Sequence, residues 1–151
     1  PYTTLFRSLT EDEMEEKKLS RECVEQLCAE AVRMRQMSYT PYSHFRVGAA
    51  LLTEDRRIYT GCNIENAAYT PTICAERTAF FKAVSEGHTD ITAVAVIGSS
   101  GEICTPCGMC RQFLYEFGTD MTVICCADSG EYETHTIKEL LPFGFGSSSL
   151  G

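Results

Sequence analysis

Two short segments carry the residues of this chain that are best suited to chemistry. The first contains Cys74 and Glu76, and the second contains Cys107 and Cys110 in a P-C-x-x-C arrangement. Zinc binds thiolates, and a catalytic zinc site takes three protein ligands and leaves its fourth position to water. The three cysteines can supply those ligands, and the carboxylate two residues after Cys74 can move protons to and from the water. The two segments therefore predict a hydrolytic zinc site that uses Glu76 for proton transfer.

Other interpretations of the cysteines stay open at this point. Cys104, Cys107 and Cys110 run C-x₂-C-x₂-C, which is typical of iron–sulfur proteins, but the place of the fourth bacterial ferredoxin ligand is taken by Leu114. A structural four-cysteine zinc site that includes Cys104 is a further alternative, although Pro106 lies between Cys104 and Cys107. Metal content and a visible spectrum would separate these cases, because zinc sites are colourless.

The neighbours of the predicted ligands suggest how the site is tuned. Three thiolates and Zn²⁺ sum to a charge of −1, which weakens the effect of zinc on the acidity of its water. A cation near the sulfurs would restore part of that effect, and Arg77 and Arg111 each follow a ligand segment. We expect Arg77 to fill this role; the alternative is a surface arginine. The plain alternative for Glu76 is a solvated residue in the first turn of a helix, where acidic residues are favoured.

Alternating hydrophobic patterns predict the elements that position these residues. An amphipathic helix is expected over residues 11–36, preceded by a capping box from Thr10 to Glu13 and followed by a break at Pro41. Downstream, the patterns predict strands at residues 45–53, 58–62, 91–97, 122–127 and 131–136, and helices at residues 75–86, 107–117 and 137–141.

The order of these elements predicts the fold class. The first two strands form a hairpin, and two strand–helix–strand units follow, which implies parallel neighbours with right-handed crossovers. Both cysteine segments then fall at helix N-termini after the carboxyl ends of strands, where open α/β sheets bind ligands. The turn at Asp128-Ser129-Gly130 is too short for a parallel connection, so the last strand must be antiparallel. Gly48 and two following alanines should let a helix pack closely on the first strand.

Composition narrows the class of protein. The chain of 151 residues carries a formal net charge of −8, which argues against a nucleic-acid substrate. No apolar run is long enough to span a membrane and no segment resembles a secretory signal, so we expect the nine cysteines to be metal ligands and free thiols in a reducing cytoplasm. Cysteines outside the predicted site should pack as small hydrophobic residues; these are Cys23, Cys28, Cys62, Cys125 and Cys126. Residues 1–8 are expected to be a non-native extension, residues 9–146 a single domain and residues 147–151 a flexible tail.

Five motifs in a fixed order are similar to those of a known family. They are Y-S-H-F-R-V-G-A-A at residues 42–50, N-I-E-N-A-A-Y at residues 63–69, C-A-E-R-T-A at residues 74–79, P-C-G-M-C-R-Q at residues 106–112 and L-L-P at residues 140–142. The chain resembles the small, homotetrameric, three-cysteine zinc cytidine deaminases that act on free nucleosides. The resemblance runs from about residue 19 to residue 145. It implies a three-layer α/β/α fold with a five-stranded mixed sheet, one Zn²⁺ per subunit and a homotetramer.

The resemblance also implies roles for individual residues. Asn63 and Glu65 match the residues that hold the ribose hydroxyls, Phe45 matches the ring that packs on the pyrimidine, and the backbone of Ala75 matches a contact with the base. Tyr69 and a C-terminal phenylalanine match residues that reach the site across subunit contacts. Phe145 is our choice for the latter, and Phe143 is the alternative.

The implied activity is hydrolytic deamination of cytidine and deoxycytidine to uridine and deoxyuridine, with Glu76 carrying the protons. The nearest alternative is the same chemistry on another aminopyrimidine nucleoside, such as a blasticidin-type antibiotic. A polynucleotide deaminase is disfavoured by the net charge and by the antiparallel last strand. The alternative outside enzymes is a structural zinc module in which Glu76 is incidental.

Overall fold

A computed structural model describes Thr10, Asp12 and residues 19–151 of the chain. Its helices are α1 (Arg21–Arg35), α2 (Ala75–Ser85), α3 (Gly108–Tyr115) and α4 (Ile137–Leu140). Its strands are β1 (Gly48–Thr53), β2 (Ile58–Cys62), β3 (Ile91–Ile97), β4 (Thr122–Cys126) and β5 (Tyr132–Thr136). A single turn of 3₁₀ helix spans Ser147–Leu150. The flexibility expected of the last five residues stays a prediction, and residues 1–8 lie outside the described part of the chain.

The five strands form one mixed sheet in the order β2-β1-β3-β4-β5. Strands β3 and β4 are parallel, and the other three pairs are antiparallel. The prediction of parallel neighbours is therefore confirmed for β3 and β4 but wrong for β2 and β3, because β1 lies between them. Strand β1 is buried along its whole length, whereas β2 is partly exposed, so β1 takes the interior position and β2 the edge.

Helices cover both faces of this sheet, which confirms the predicted three-layer arrangement. On one face, the apolar side of α1 packs against alternate residues of the central strands. On the other face, α2, α3 and α4 enclose a second apolar core that contains Phe80 and Leu114. The carboxyl ends of β3 and β4 lie at the same edge because these strands are parallel. That edge is where the cysteine segments begin.

The predicted antiparallel last strand is also confirmed. A short turn joins β4 to β5, in which Ala127 N donates to Glu131 O at 2.9 Å. Gly130 occupies the left-handed region with φ of 90°, which glycine adopts without steric cost. The two strands pair in antiparallel register, with Cys125 opposite Glu133.

Two predicted boundaries are wrong. The helix expected over residues 11–36 is interrupted at Ser20, which has extended backbone angles and whose hydroxyl accepts a hydrogen bond from Cys23 N at 3.1 Å. A serine in this position caps a new helix, so α1 starts at Arg21; Glu13 of the predicted capping box lies outside the described residues. The strand expected from Phe45 starts only at Gly48, because residues 45–47 form a loop that is bound to Asn63.

The close approach predicted at Gly48 is present. A Cβ atom added to this glycine would lie 1.9 Å from Ala31 O and 2.6 Å from Arg35 N. Both atoms belong to the backbone of α1, so neither can move aside as a flexible side chain could. Glycine at position 48 therefore allows α1 to lie directly on β1.

Replacing this glycine tests the packing of α1. We expect Gly48→Ala to lower the free energy of unfolding by about 3 kcal/mol, because overfilled cores typically lose about 1–3 kcal/mol and the obstruction here is backbone. Gly108→Ala is the matched control, since a Cβ atom there meets nothing within 4 Å. The midpoint of urea unfolding, followed by circular dichroism, measures the effect; equal midpoints for the two variants would contradict the close approach.

Candidate metal centre

The three predicted ligand cysteines lie at the N-termini of two helices. Cys74 is the N-cap of α2, Cys107 is the N-cap of α3, and Cys110 lies in the first turn of α3. Neither N-cap side chain makes a capping hydrogen bond, so both sulfurs are available to a ligand. The positive ends of the helix dipoles favour thiolate over thiol at these positions.

The geometry of the three sulfurs fits one zinc ion. All three lie within 4.8 Å of one another, and Cys74 Sγ is 3.7 Å from Cys107 Sγ. A tetrahedral zinc with Zn–S bonds of about 2.3 Å separates its sulfurs by ~3.8 Å. Cys104 is not a member of this group, so the geometry favours three cysteine ligands over the four-cysteine and iron–sulfur alternatives.

The sulfurs are coupled electrostatically. The pKa of Cys74 is lowered to about 5, first because the Cys110 thiol donates a hydrogen bond to it and also because Arg77 lies beside it. The pKa of Cys110 is raised, first by the same hydrogen bond and then by burial. In the absence of a cation, the negative charge thus rests on Cys74, and metal binding must displace the remaining thiol protons.

Glu76 lies inside this group and is only 4% exposed. Its Oε2 atom is 3.6 Å from Cys110 Sγ. Burial raises the pKa of Glu76 to about 7, and the negative charge of Cys74 adds to the shift. A carboxyl group with a pKa near neutrality can both accept and donate a proton. The alternative of a solvated first-turn glutamate is therefore wrong.

The two candidate arginines have different environments. Arg77 Nη2 is 3.5 Å from Cys74 Sγ, so this guanidinium places positive charge against the sulfurs as expected. Arg77 Nε is buried and has no hydrogen-bond partner among the described residues. Arg111 instead donates to two backbone oxygens, those of Pro106 at 2.8 Å and Leu140 at 3.0 Å. Arg111 therefore braces the loop before α3 and contacts α4.

Asn63 and Glu65, the predicted ribose contacts, hold the loop that precedes β1. Asn63 Oδ1 accepts from Val47 N at 2.9 Å, and Asn63 Nδ2 donates to Phe45 O at 2.8 Å. Glu65 Oε1 accepts from the backbone N–H of Ser43 at 3.1 Å, and the Ser43 hydroxyl donates to Glu65 Oε2. These bonds lower the pKa of Glu65, with the Ser43 hydroxyl as the largest cause. Glu65 is thus held ionised and oriented at the surface.

The loop places the Phe45 ring close to the sulfur-rich region. A Cβ atom added to Gly98 would lie 2.8 Å from Phe45 Cζ and 3.1 Å from Cys104 Sγ. Gly98 therefore leaves room for the ring at the end of β3, a role that sequence reasoning missed. Its position directly after a buried strand was the available signal. Ser43 was also missed as the partner of Glu65, although both occur in the motifs quoted above.

The remaining predicted contacts divide between the interior and the surface. Ala75 is fully buried at the start of α2, directly after Cys74. Tyr69 and Phe145 are 77% and 59% exposed, so their rings protrude from the chain. Phe143 is fully exposed, which leaves the choice between the two phenylalanines open.

An α/β/α fold with a carboxylate of near-neutral pKa beside a three-sulfur cation site defines a metal-dependent enzyme that works by proton transfer. The family model for "Cytidine and deoxycytidylate deaminase zinc-binding region" matches residues 21–126. The chain therefore belongs to the cytidine and deoxycytidylate deaminase family, and its cofactor is Zn²⁺.

Individual relatives agree with this assignment. The chain is 50% identical over 128 residues to the cytidine deaminase of Sporosarcina psychrophila, covering 84% of this chain and 94% of the relative. It is 44% identical over 125 residues to that of Halalkalibacterium halodurans, covering 82% and 95%. The crystal structure of cytidine deaminase from Burkholderia pseudomallei superposes with a TM-score of 0.78 at 38% identity, covering 84% of this chain and all of the other.

A search for membrane-spanning helices was negative. Among the described residues, every helix is too short or too polar to cross a lipid bilayer.

Exchanging single sulfurs tests the ligand set. We expect Cys110→Ser to lose zinc to a chelator that leaves the parent protein loaded, because a buried thiolate ligand is removed. Cys104→Ser is the matched control and should keep the parent affinity, since Cys104 Sγ contacts Thr105 O rather than the sulfur group. Competition with a chromophoric chelator, at one equivalent of zinc, measures both; equal losses would restore the four-cysteine alternative.

Proposed function

We propose that this protein hydrolyses cytidine and deoxycytidine to uridine and deoxyuridine and releases ammonia. The single observation that carries the proposal is the position of Glu76, which is buried and 3.6 Å from Cys110 Sγ in the three-cysteine group. A structural zinc module has no need for a carboxyl group buried at the cost of desolvation. The relatives named cytidine deaminase support the choice of substrate.

The proposed mechanism assigns proton transfer to Glu76 and metal binding to Cys74, Cys107 and Cys110. When bound, Zn²⁺ supplies a Lewis acid that lets water lose a proton near neutral pH. Glu76 accepts that proton and delivers it to N3 of the cytosine ring as the water oxygen bonds to C4. Glu76 then transfers a second proton, from the new hydroxyl at C4, to the amino nitrogen. The C4–N bond breaks, ammonia leaves and the C4 carbonyl of uridine forms.

The loop bound to Glu65 supports recognition of a free nucleoside. We assign the ribose hydroxyls to Asn63 and Glu65, the pyrimidine ring to Phe45 and a backbone contact with the base to Ala75. A carboxylate has about four acceptor sites on its two oxygens, so Glu65 can accept from a hydroxyl as well as from its loop partners. Its lowered pKa keeps it an acceptor at neutral pH. A plain ribose thus fits better than a modified antibiotic sugar.

The proposal extends to assembly, location and pathway. Tyr69 and Phe145, with Phe143 as the alternative, are exposed aromatic rings whose burial needs a second surface. They support a homotetramer in which each chain completes a neighbour's site, and sedimentation equilibrium would give four times the chain mass. All nine cysteines are unpaired thiols, which supports a reducing cytoplasm. Recovery of uridine from cytidine is a step of pyrimidine salvage.

Removing the proton carrier tests the mechanism. We expect Glu76→Gln to lower kcat by at least about 10²–10⁴-fold, the usual contribution of a positioned acid–base group, while zinc stays bound. Glu116→Gln, at the exposed C-cap of α3, is the matched control and should leave kcat unchanged. The loss of cytidine absorbance and the zinc content measure the two effects. Near-normal turnover by Glu76→Gln would refute the assigned role.

Substrate analogues test the ribose contacts. Because a buried site that binds a hydroxyl rejects an analogue that lacks it, by up to about 10⁴-fold in kcat/KM, we expect 3′-deoxycytidine to be a much poorer substrate than deoxycytidine. Glu65→Gln should act mainly on substrates that carry the 3′-hydroxyl and so reduce this ratio. Steady-state kinetics of both enzymes with both substrates give the comparison. An unchanged ratio would mean that Glu65 only holds its loop.

A further inference from the structure

A second group of metal-binding side chains lies on strands β4 and β5, outside the three-cysteine site. It consists of Cys125, Glu133 and His135, whose ligand atoms all lie within 4.8 Å of one another. Cys125 is paired with Glu133 in the antiparallel register, and His135 is two residues further along β5. Side chains two residues apart on a strand point to the same face of the sheet. The register thus brings a thiol, a carboxylate and an imidazole together.

Burial makes this group unlike a surface cluster. Cys125 is fully buried, Glu133 is 5% exposed, and the side chain of His135 is 30% exposed. A buried carboxylate is costly unless a charge or a cation compensates it. Glu133 Oε1 is 3.1 Å from His135 Nε2. Nitrogen and oxygen ligands of a tetrahedral zinc, each at about 2.1 Å from the metal, lie ~3.4 Å apart.

The other nitrogen of His135 has a carboxylate neighbour. Nδ1 lies 3.9 Å from Glu139 Oε2, on α4. Glu139 is itself oriented, because its Oε1 accepts a hydrogen bond from the Thr136 hydroxyl at 3.1 Å. Histidines that bind metal through one nitrogen commonly present the other to a carboxylate, which fixes the ring and strengthens it as a ligand. Nε2 faces the thiol and Glu133, and Nδ1 faces Glu139, as such an arrangement requires.

A cavity gives a cation access to the group. It has a volume of about 520 Å³, and its lining includes Glu133, Glu131, Glu102 and Thr105. Its carboxylates give it negative potential, which raises the local concentration of cations. The cavity also has room for water, which can fill the fourth position of a site with three protein ligands.

We propose that Cys125, Glu133 and His135 bind a second divalent transition-metal ion, with Zn²⁺ as the expected class. One thiolate, one imidazole and one carboxylate form a donor set for zinc or cobalt, whereas magnesium and calcium take oxygen ligands. On binding, the Cys125 thiol releases its proton to solvent and His135 coordinates as neutral imidazole. The competing explanation is a protonated His135 that pairs with Glu133 beside an inert thiol, and it predicts no added metal.

Metal counting separates these explanations. The chain is equilibrated with zinc, freed of loosely bound ions by gel filtration and assayed for zinc and protein. We expect two zinc ions per chain in the parent, one in His135→Gln, and one in Cys110→Ser. His88→Gln is the matched control, since His88 lies 3.5 Å from Asp55 without a thiol partner, and it should keep two. One ion in the parent, or two in His135→Gln, would overturn the proposal.

Cadmium-113 NMR reports the sites directly and does not depend on deaminase activity. The parent loaded with cadmium should give two resonances, one from the three-sulfur site and one at lower shift from the mixed-donor site. His135→Gln should lose only the second. Glu139→Gln leaves all three ligands in place and should weaken binding at the second site by about 10–100-fold. If that site binds cadmium equally well in Glu139→Gln, or if the parent shows one resonance, the assignment is wrong.

The same measurements keep this proposal separate from the proposed function. Loss of cytidine turnover with two bound metals would count against the deaminase assignment alone. Full turnover with one bound metal would count against the second site alone.

Discussion

One carboxyl group and three sulfurs must share a small volume from which most water is excluded, and the rest of the structure serves that constraint. Glu76 and Cys110 are buried, and ionised groups in such a place are stable only if compensating charge is fixed nearby. Two helix N-termini and Arg77 supply part of that charge, and the cofactor supplies the rest. The same burial moves the pKa of Glu76 to about 7. The desolvation that makes the site costly also makes the carboxyl group useful for proton transfer.

The fold meets this constraint through the positions of three strand ends. Because β3 and β4 are parallel, and β2 runs in the same direction beyond β1, the segments that follow them emerge at one edge of the sheet. Gly48 lets α1 lie directly against β1 on the opposite face. Asn63 and Glu65 tie the loop before β1 to the same edge. Substrate contacts and metal ligands are thus held by different elements that meet at one place.

Much of this was predictable from local pattern. Cys74, Cys107 and Cys110 follow strands and begin helices in the sequence, so their convergence follows from the direction of parallel strands. The antiparallel β5 follows from a turn that is too short for a crossover. The position of β1 between β2 and β3 was not predictable in the same way, because a hairpin can join the sheet through either strand. The dual engagement of Glu65 could not be predicted either, since hydrogen bonds between distant loops leave no periodic signal.

The cysteines show where pattern reasoning stops. Cys125 was expected to be a small core residue, and its full burial agrees with that. Only the register between β4 and β5 reveals that Glu133 and His135 lie beside it. Short sequence spacing marks Cys107 and Cys110 as partners, whereas a site assembled across a hairpin from single residues has no such mark.

X-ray absorption at the zinc edge is the most direct measurement of the central claim. On protein that carries one zinc per chain, the account predicts three sulfur ligands at about 2.3 Å and one oxygen or nitrogen ligand at about 2.0–2.1 Å. Four sulfur ligands would mean that Cys104 closes the site and leaves no position for water. Fewer than three would mean that Cys74, Cys107 and Cys110 do not share the ion, and either result would contradict the account.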